Sequence, residues 1–209
     1  MTPDSRDSHY FSENPNGPSK RTEFEILVNG RTIVMQSDAG VFSQRGLDKG
    51  TAVLLEAMRR RGAPSIPDGS LLCDIGCGSG AIAITLAVLY PACTVVAVDI
   101  NERARTLCAD NAKSNRLPNI RVISPEQAND TDEYALIWSN PPIRIGKSAL
   151  HDLLDTWLQR LSPDGHAHLV VNKNLGGDSL AQWLTERGLN TRKLSSSKGF
   201  RVLEVDARQ

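Results

Sequence analysis

Residues 71–80, LLCDIGCGSG, are the most informative segment of the chain, because a short apolar run there meets three glycines on alternate positions. Leu71–Ile75 predicts a buried strand, and residues 81–90 predict a helix directly behind the glycines. Glycines at such a turn let the backbone bend sharply and approach a ligand where a β-carbon would clash. Since the first N–H groups of the helix face the same turn, the segment indicates a loop that binds a cofactor or a phosphate.

Two acids near the glycines help to choose between cofactors. Gly76, Gly78 and Ala81 also satisfy the G-x-G-x-x-A pattern of dinucleotide-binding enzymes, so an NAD-dependent reductase is one alternative. Asp74 lies two residues before the first glycine, and Asp99 ends the next predicted strand. An acid at that strand end can accept hydrogen bonds from both ribose hydroxyls of a nucleoside. Nothing downstream supplies hydride-transfer residues, which favours a different nucleoside cofactor.

A second motif follows a later predicted strand, Tyr134–Ser139, which runs into Asn140-Pro141-Pro142-Ile143. Five motifs occur in order along the chain: VFSQRGLDKGT (41–51), DIGCGSG (74–80), VDIN (98–101), NPPIRIGK (140–147) and GFRVLEV (199–205). In these motifs the chain resembles class I S-adenosylmethionine (SAM) methyltransferases of the small methyltransferase domain family, which includes bacterial 16S ribosomal RNA guanine-N2 methyltransferases. The five motifs occur in the same order as in the family over about residues 40 to 205, which argues against chance agreement.

The resemblance implies SAM as cofactor and a set of residues that bind it. These are Phe42, Asp48, Gly50 and Thr51 at the methionine end, and Asp74, Gly76, Cys77, Gly78, Gly80, Asp99, Ile100 and Asn140 in the remainder of the site. The Thr51 hydroxyl is the implied partner of the methionine carboxylate. Read without the resemblance, residues 39–51 are a glycine-rich connector in which Thr51 caps a helix. Relatives hold the adenine with an acid after the third strand, where this chain offers Glu126 or a backbone amide.

The N-P-P loop is the implied catalytic element. An exocyclic amine has a delocalised lone pair, and the resemblance implies that the Asn140 side-chain oxygen and the Pro141 carbonyl accept its hydrogens. The prolines hold these carbonyls without offering competing N–H donors. The implied catalytic residues are Asn140, Pro141, Pro142 and Ile143, although relatives carry a base-stacking aromatic at position 143. The alternative for N-P-P is a rigid turn at the strand exit.

Composition limits the kinds of partner. The 209 residues carry 24 basic and 24 acidic side chains, so no general positive field attracts nucleic acid. RNA contacts must then be local, and Arg144 and Lys147 are candidates for phosphate contact, with plain surface charges as the alternative. The four cysteines lack the paired spacing of a zinc site, so we expect buried free thiols, no metal and a cytoplasmic protein. Pro91 interrupts the uncharged residues 81–98, so no membrane helix is expected.

We predict an α/β fold, a doubly wound seven-stranded Rossmann-like SAM-methyltransferase sheet with helices on both faces and an antiparallel final strand. Residues 1–22 are a predicted flexible tail, and 23–209 a single domain that opens with a hairpin, 23–36, turning at Asn29-Gly30. Further helices are predicted over 52–61, 101–114, 147–161 and 178–187. Residues 162–165 are a predicted turn before the strand 166–171, and residues 190–194 and 200–205 form the closing pair.

The predicted function is SAM-dependent N-methylation of an exocyclic amine of a base in RNA. The resemblance further implies guanine N2 of 16S ribosomal RNA, free or in a ribosomal subunit, as the acceptor, and leaves open whether the protein is a monomer or a homodimer. A protein glutamine N5-methyltransferase is the alternative enzyme, because release-factor methyltransferases share the N-P-P loop. A non-catalytic RNA-binding module that kept the fold is the alternative from another class.

Overall fold

The structure is a computed structural model, and it describes residues 20–39, 41 and 46–207. Most of the predicted tail, residues 1–22, therefore lies outside the described residues. Within them, no helix has the length and apolar character needed to cross a membrane.

The described chain alternates strands and helices after an N-terminal hairpin. The strands are β1 (Thr22–Val28), β2 (Arg31–Ser37), β3 (Leu71–Ile75), β4 (Thr94–Val98), β5 (Ile120–Ile123), β6 (Tyr134–Ser139), β7 (Leu161–Asn172), β8 (Asn190–Ser197) and β9 (Phe200–Asp206). The helices are α1 (Lys49–Arg61), α2 (Ala81–Leu89), α3 (Glu102–Ser114), α4 (Lys147–Leu158) and α5 (Gly177–Glu186). Short 3₁₀ turns occupy Pro125–Gln127, Ile143–Ile145 and Lys173–Leu175.

The main sheet has seven strands in the order β5-β4-β3-β6-β7-β9-β8. β3 to β7 pair in parallel, whereas β9 is antiparallel to both β7 and β8. The strand order reverses between β3 and β6, and ligands of open α/β sheets bind at the carboxyl ends of the strands at such a point. The predicted doubly wound sheet and its antiparallel end are confirmed.

Apolar layers cover both faces of the sheet, as parallel strands require. On one face, buried side chains of α1, α2 and the hairpin pack together, among them Leu54, Ile84 and Ile33. On the other face, α4 and α5 contribute Leu154 and Leu184. The central strands are consequently buried on both sides, which fixes the position of the loops at their carboxyl ends.

The hairpin is anchored to the glycine loop through one buried asparagine on α3. The turn itself forms as predicted, since Asn29 and Gly30 adopt φ values of 48° and 76°. The Asn111 Nδ2 donates to the carbonyls of Gln36 and Ser79, at 2.8 and 2.9 Å, and its Oδ1 accepts from the Gln36 N–H. Asn111 therefore joins β2 to the loop that precedes α2.

Several predicted boundaries are wrong. The helix predicted over 147–161 ends at Leu158, and the strand predicted over 190–194 extends to Ser197. The helix predicted to start at residue 52 starts at Lys49, and Asp48 rather than Thr51 caps it. Residues 162–165, predicted as a turn, lie inside β7, because pairing with β6 moves from Leu161 to His166 while β6 advances only from Tyr134 to Leu136. The extra residues form a bulge, which accommodates a proline and a glycine within a strand.

Candidate active site

The candidate site lies where the carboxyl ends of β3, β4 and β6 meet. A cavity of about 340 Å³ opens there between the glycine loop, the end of β4, the N-P-P loop and α4. A cleft of about 30 Å³ adjoins it on the side of α1. Gly76, Gly78 and Asn140 line both spaces, so the two form one site with Asn140 at their junction.

The glycine loop is held against β4 and α3. The N–H groups of Gly76 and Cys77 both donate to the Val98 carbonyl, at 2.8 and 2.9 Å. Gly80 has a φ of 88°, and a β-carbon there would lie 2.6 Å from the Cys108 Sγ. Gly80 lines neither cavity, so the structure places it in the contact between the loop and α3, while Gly76 and Gly78 face the site.

Asp99 stands at the wall of the larger cavity with its carboxylate fixed in place. Its Oδ2 accepts from the Gly78 N–H and its Oδ1 from the Asn101 N–H, both at 2.9 Å. Desolvation raises the pKa of Asp99, and the two N–H groups and the charge of Arg105 oppose that rise. Each carboxylate oxygen keeps a further lone pair, so Asp99 can accept additional hydrogen bonds.

Asp74 lies fully buried beneath the loop. Its Oδ2 accepts from the Ala83 N–H in the first turn of α2 at 2.9 Å, while its Oδ1 has no hydrogen-bond partner in the described part of the chain. Burial raises the pKa of Asp74 to about 8, against the opposing effect of the Ala83 N–H. A carboxyl that is neutral near pH 7 avoids the cost of a buried, unpaired charge. Asp74 therefore acts on the site through the loop and not by facing either cavity.

Two segments that are distant in sequence bring three polar side chains together at the start of α1. The Asp48 Oδ1 accepts from the N–H groups of Gly50 and Thr51, at 2.7 and 3.1 Å, and from the Asn140 Nδ2 at 2.6 Å. The Asn140 Nδ2 also donates to the Thr51 Oγ1 at 3.1 Å. Because both donor hydrogens of the amide are engaged by α1, the Asn140 Oδ1 is the atom left to accept a hydrogen bond from a ligand.

The other predicted site residues have varied positions. Phe42 and the side chain of Ile143 lie outside what the structure describes. Ile100 and Pro142 line the larger cavity and Cys77 lines the smaller cleft, whereas Pro141 is buried and lines neither. Arg144 and Lys147 are exposed beside Ile145 and Ala149, which line the larger cavity. Pro125 lines the larger cavity, whereas Glu126 is exposed and does not line it.

Sequence reasoning missed two neighbours of the site. Ala149, Leu153 and Trp157 of α4 line the larger cavity, although the sequence predicted only a helix there and no part of the site. Phe200, at the start of β9, lies next to Asn140 and Gly50. The only available signal for Phe200 was its place in the closing motif GFRVLEV.

Comparison with known proteins gives a consistent result. The family model of the methyltransferase small domain matches residues 32–204. The Bacillus subtilis protein YbxB is 29% identical over 200 residues, which are 94% of this chain and 97% of that protein. Ribosomal RNA small subunit methyltransferase C of Pseudoalteromonas translucida is 33% identical over 156 residues, 73% of this chain and 44% of that protein. The chain thus spans about half the length of this relative.

Solved structures agree on the fold. The Thermus thermophilus 16S rRNA N2 G1207 methyltransferase RsmC, solved with SAM and guanosine, superimposes with a TM-score of 0.79 at 24% identity. The match covers 91% of this chain and 52% of that one. A ribosomal protein L11 methylase from Lactobacillus delbrueckii superimposes with a TM-score of 0.62, also at 24% identity, over 78% of this chain and 85% of that one. Enzymes with nucleic-acid and protein substrates thus share this architecture.

Proposed function

Because the chain belongs to the methyltransferase small domain family, as its motifs predict, we propose that it methylates an exocyclic amine of a base in RNA, with guanine N2 of 16S ribosomal RNA as the acceptor. The observation that carries the proposal is the Asn140 amide, whose nitrogen is held by Asp48 and Thr51 at the carboxyl end of β6. The named similarity to ribosomal RNA methyltransferases supports RNA as the substrate class.

The cavity suits the cofactor of this family, which is SAM. A volume of about 340 Å³ is at the lower end of the usual range for small-molecule sites. Ile100, Ala104 and Pro125 offer apolar surface to an adenine ring, and Asp99 keeps lone pairs for ribose hydroxyls. Asp48 and Thr51 line the adjoining cleft. There the Asp48 carboxylate can accept a hydrogen bond from the ammonium group of SAM, and the Thr51 hydroxyl can donate one to its carboxylate.

The methyl group to be transferred is carried on the sulfonium of SAM, so the protein's task is to align an acceptor with it. The Asn140 Oδ1 accepts one hydrogen of the target amine and the Pro141 carbonyl the other. The Pro142 carbonyl already accepts the Ile145 N–H at 3.1 Å, whereas none of the described residues donates to the Pro141 carbonyl. Holding the amine at two points fixes its lone pair, and such orientation can supply roughly 7–11 kcal/mol of a barrier.

The substrate class is tested by offering labelled SAM with each candidate acceptor. The acceptors are 30S subunits, free 16S ribosomal RNA and a release factor. The release factor is included because release-factor glutamine methyltransferases share the N-P-P loop. We expect label in RNA and none in the protein. Label confined to the glutamine loop would replace the RNA proposal with the protein alternative. SAM binding without label in any acceptor would favour the non-catalytic RNA-binding module.

Arg144 and Lys147 remain proposed phosphate contacts on the α4 side of the cavity. Both side chains are exposed, and the loop that carries them continues directly from Pro142. Phosphate contacts position RNA without reading its sequence, so these cations would set affinity and register, and the choice of base belongs to other groups.

A further inference from the structure

An aromatic side chain, Phe200, lies next to Asn140 outside both cavities. Phe200 begins β9 and pairs with Asn172 of β7 and Ser197 of β8. Its Cε1 lies 3.0 Å from the position that a β-carbon on Gly50 would take, and the Asn140 Oδ1 lies 3.1 Å from the same position. The ring edge and the accepting oxygen are therefore near neighbours above the start of α1.

The position of Phe200 relative to the two cavities points to the acceptor side. Asn140 lines the larger cavity and the cleft, whereas Phe200 lines neither. In an in-line displacement the nucleophile approaches the methyl group from the side opposite the sulfur. An acceptor held by the Asn140 Oδ1 must therefore lie outside the space that the cofactor fills. Phe200 meets this condition, because it is close to the Asn140 Oδ1 and lines neither cavity.

Part of the Phe200 ring is exposed and can contact a ligand. The ring packs in part against the apolar layer on the α1 face, yet the residue is only half-buried. A partly exposed ring beside a polar amide offers a flat apolar surface to a planar ligand. Position 143, where the family's motif has an aromatic, is isoleucine in this chain. Phe200 can thus supply the stacking surface that position 143 lacks.

Two cations accompany the ring. Lys198 occupies the β8–β9 turn with a φ of 50°, and Lys173 follows β7, where its N–H donates to the Gly199 carbonyl at 2.9 Å. Both side chains are exposed, and neither has an ion-pair partner among the described residues. They add two unpaired positive charges next to Phe200 in a chain whose net charge is zero.

We propose that Phe200 stacks on the target base and that Lys173 and Lys198 contact the phosphates beside it. The inference rests on the proposed RNA methyltransferase function and adds a substrate-binding wall formed by the end of β7 and the β8–β9 turn. In this arrangement the RNA strand contacts Arg144 and Lys147 at the start of α4, and Lys173 and Lys198 near the β8–β9 turn, with Asn140 between the two pairs.

Phe200→Leu tests the stacking surface, because leucine keeps apolar volume and loses the flat ring. We expect kcat/KM for RNA to fall by roughly tenfold to a hundredfold, while the Kd for SAM and the melting temperature stay close to wild type. Phe200→Tyr should retain wild-type kcat/KM. Trp183→Leu is the matched control. The Trp183 ring on α5 stacks on His151 of α4, with centroids 3.8 Å apart, and lines neither cavity, so the same substitution there should leave kcat/KM for RNA unchanged.

The double variant Lys173→Ala, Lys198→Ala tests the cations. The slope of log KM for RNA against log salt should flatten by about 0.7 for each single-strand phosphate that the variant no longer binds. Lys113→Ala with Arg116→Ala removes the same charge at the far end of α3 and should leave the slope unchanged. A slope that flattens only with Arg144→Ala and Lys147→Ala would assign RNA binding to the α4 side alone.

The outcomes separate this inference from the function it rests on. If wild-type protein methylates RNA and Phe200→Leu does so with kcat/KM within twofold of wild type, the stacking role is overturned and the function stands. If Phe200→Leu loses SAM affinity and RNA turnover in equal measure, Phe200 supports the fold and does not bind the base. If wild-type protein labels a glutamine loop and no RNA, the proposed function itself falls.

Discussion

At the scale of single residues, Asn140 joins the cofactor side of the site to the acceptor side. Asn140→Ala removes the accepting oxygen but leaves the larger cavity and Asp99 in place. We expect SAM affinity to change by no more than a few-fold and turnover to fall by roughly 10²-fold or more, because the missing hydrogen bond acts on the reacting amine. Calorimetry and single-turnover assays measure the two effects. Asn129→Ala, in an exposed loop, is the matched control, and an unchanged kcat in Asn140→Ala would favour a rigid strand-exit turn.

We expect Asp99 to contribute to SAM binding and not to the methyl-transfer step. Asp99→Ala should weaken SAM by roughly 1.5–3 kcal/mol, the range for hydrogen bonds to a charged group. The variant also frees the N–H groups of Gly78 and Asn101, so circular dichroism must show that the loop and sheet remain folded. Unchanged affinity in a folded variant would remove Asp99 from the site.

Asp74 should make the protein's stability depend on pH. Burial raises its folded pKa from 3.8 to about 8, so folding takes up a proton at any pH between these values. This contribution is fully present below about pH 4 and is lost as pH rises through 8, at no more than about 1.4 kcal/mol per pH unit. Urea unfolding of wild type and Asp74→Asn at several pH values measures it. Wild type should lose stability relative to Asp74→Asn between pH 5 and 8, and a constant difference would refute the buried neutral acid.

At the scale of elements, the predictions succeeded where the pattern was continuous. The bounds of β3, β4 and β6 agree with the apolar runs, because strands buried on both faces read as unbroken apolar segments. The start of α1 was misplaced because a glycine before a helix pattern indicates a loop. Gly50 is nevertheless helical, and the position requires glycine because a β-carbon would come within 3.0 to 3.1 Å of Asp48, Phe200 and Asn140. That crowding arises from segments distant in sequence and is not readable locally.

Gly50→Ala tests whether the start of α1 is built for the site. Alanine normally favours a helix over glycine by up to about 1 kcal/mol. At this position the added methyl should displace Asn140 or Asp48, so we expect turnover to fall by roughly tenfold without a gain in melting temperature. Ala52→Gly, two residues later in α1, changes helix propensity without adding a β-carbon and serves as the control. A stabilised variant with normal turnover would mean that the crowding is relieved without affecting the amide.

At the scale of the whole molecule, motif order predicted the sheet and the edge at which the site lies. It could not predict which side chains touch across that edge. Asp48 and Asn140 are 92 positions apart, and their hydrogen bond exists because α1 packs on β7, the strand next to β6. Phe200 reaches the same point from the antiparallel end of the sheet. These contacts depend on tertiary packing, so a sequence pattern names the participants at best and not their pairing.

The identity of the methylated nucleoside distinguishes an exocyclic-amine methyltransferase from one that modifies another atom of the RNA. Wild-type protein and Asn140→Ala are incubated with deuterated-methyl SAM and with 16S ribosomal RNA or 30S subunits, and the digested RNA is analysed by mass spectrometry. The proposed site predicts a deuterated methyl group on an exocyclic amine, N2-methylguanosine, with wild type and almost none with Asn140→Ala. A label on a ribose hydroxyl or a ring carbon, or an equal amount of N2-methylguanosine from the variant, would contradict it.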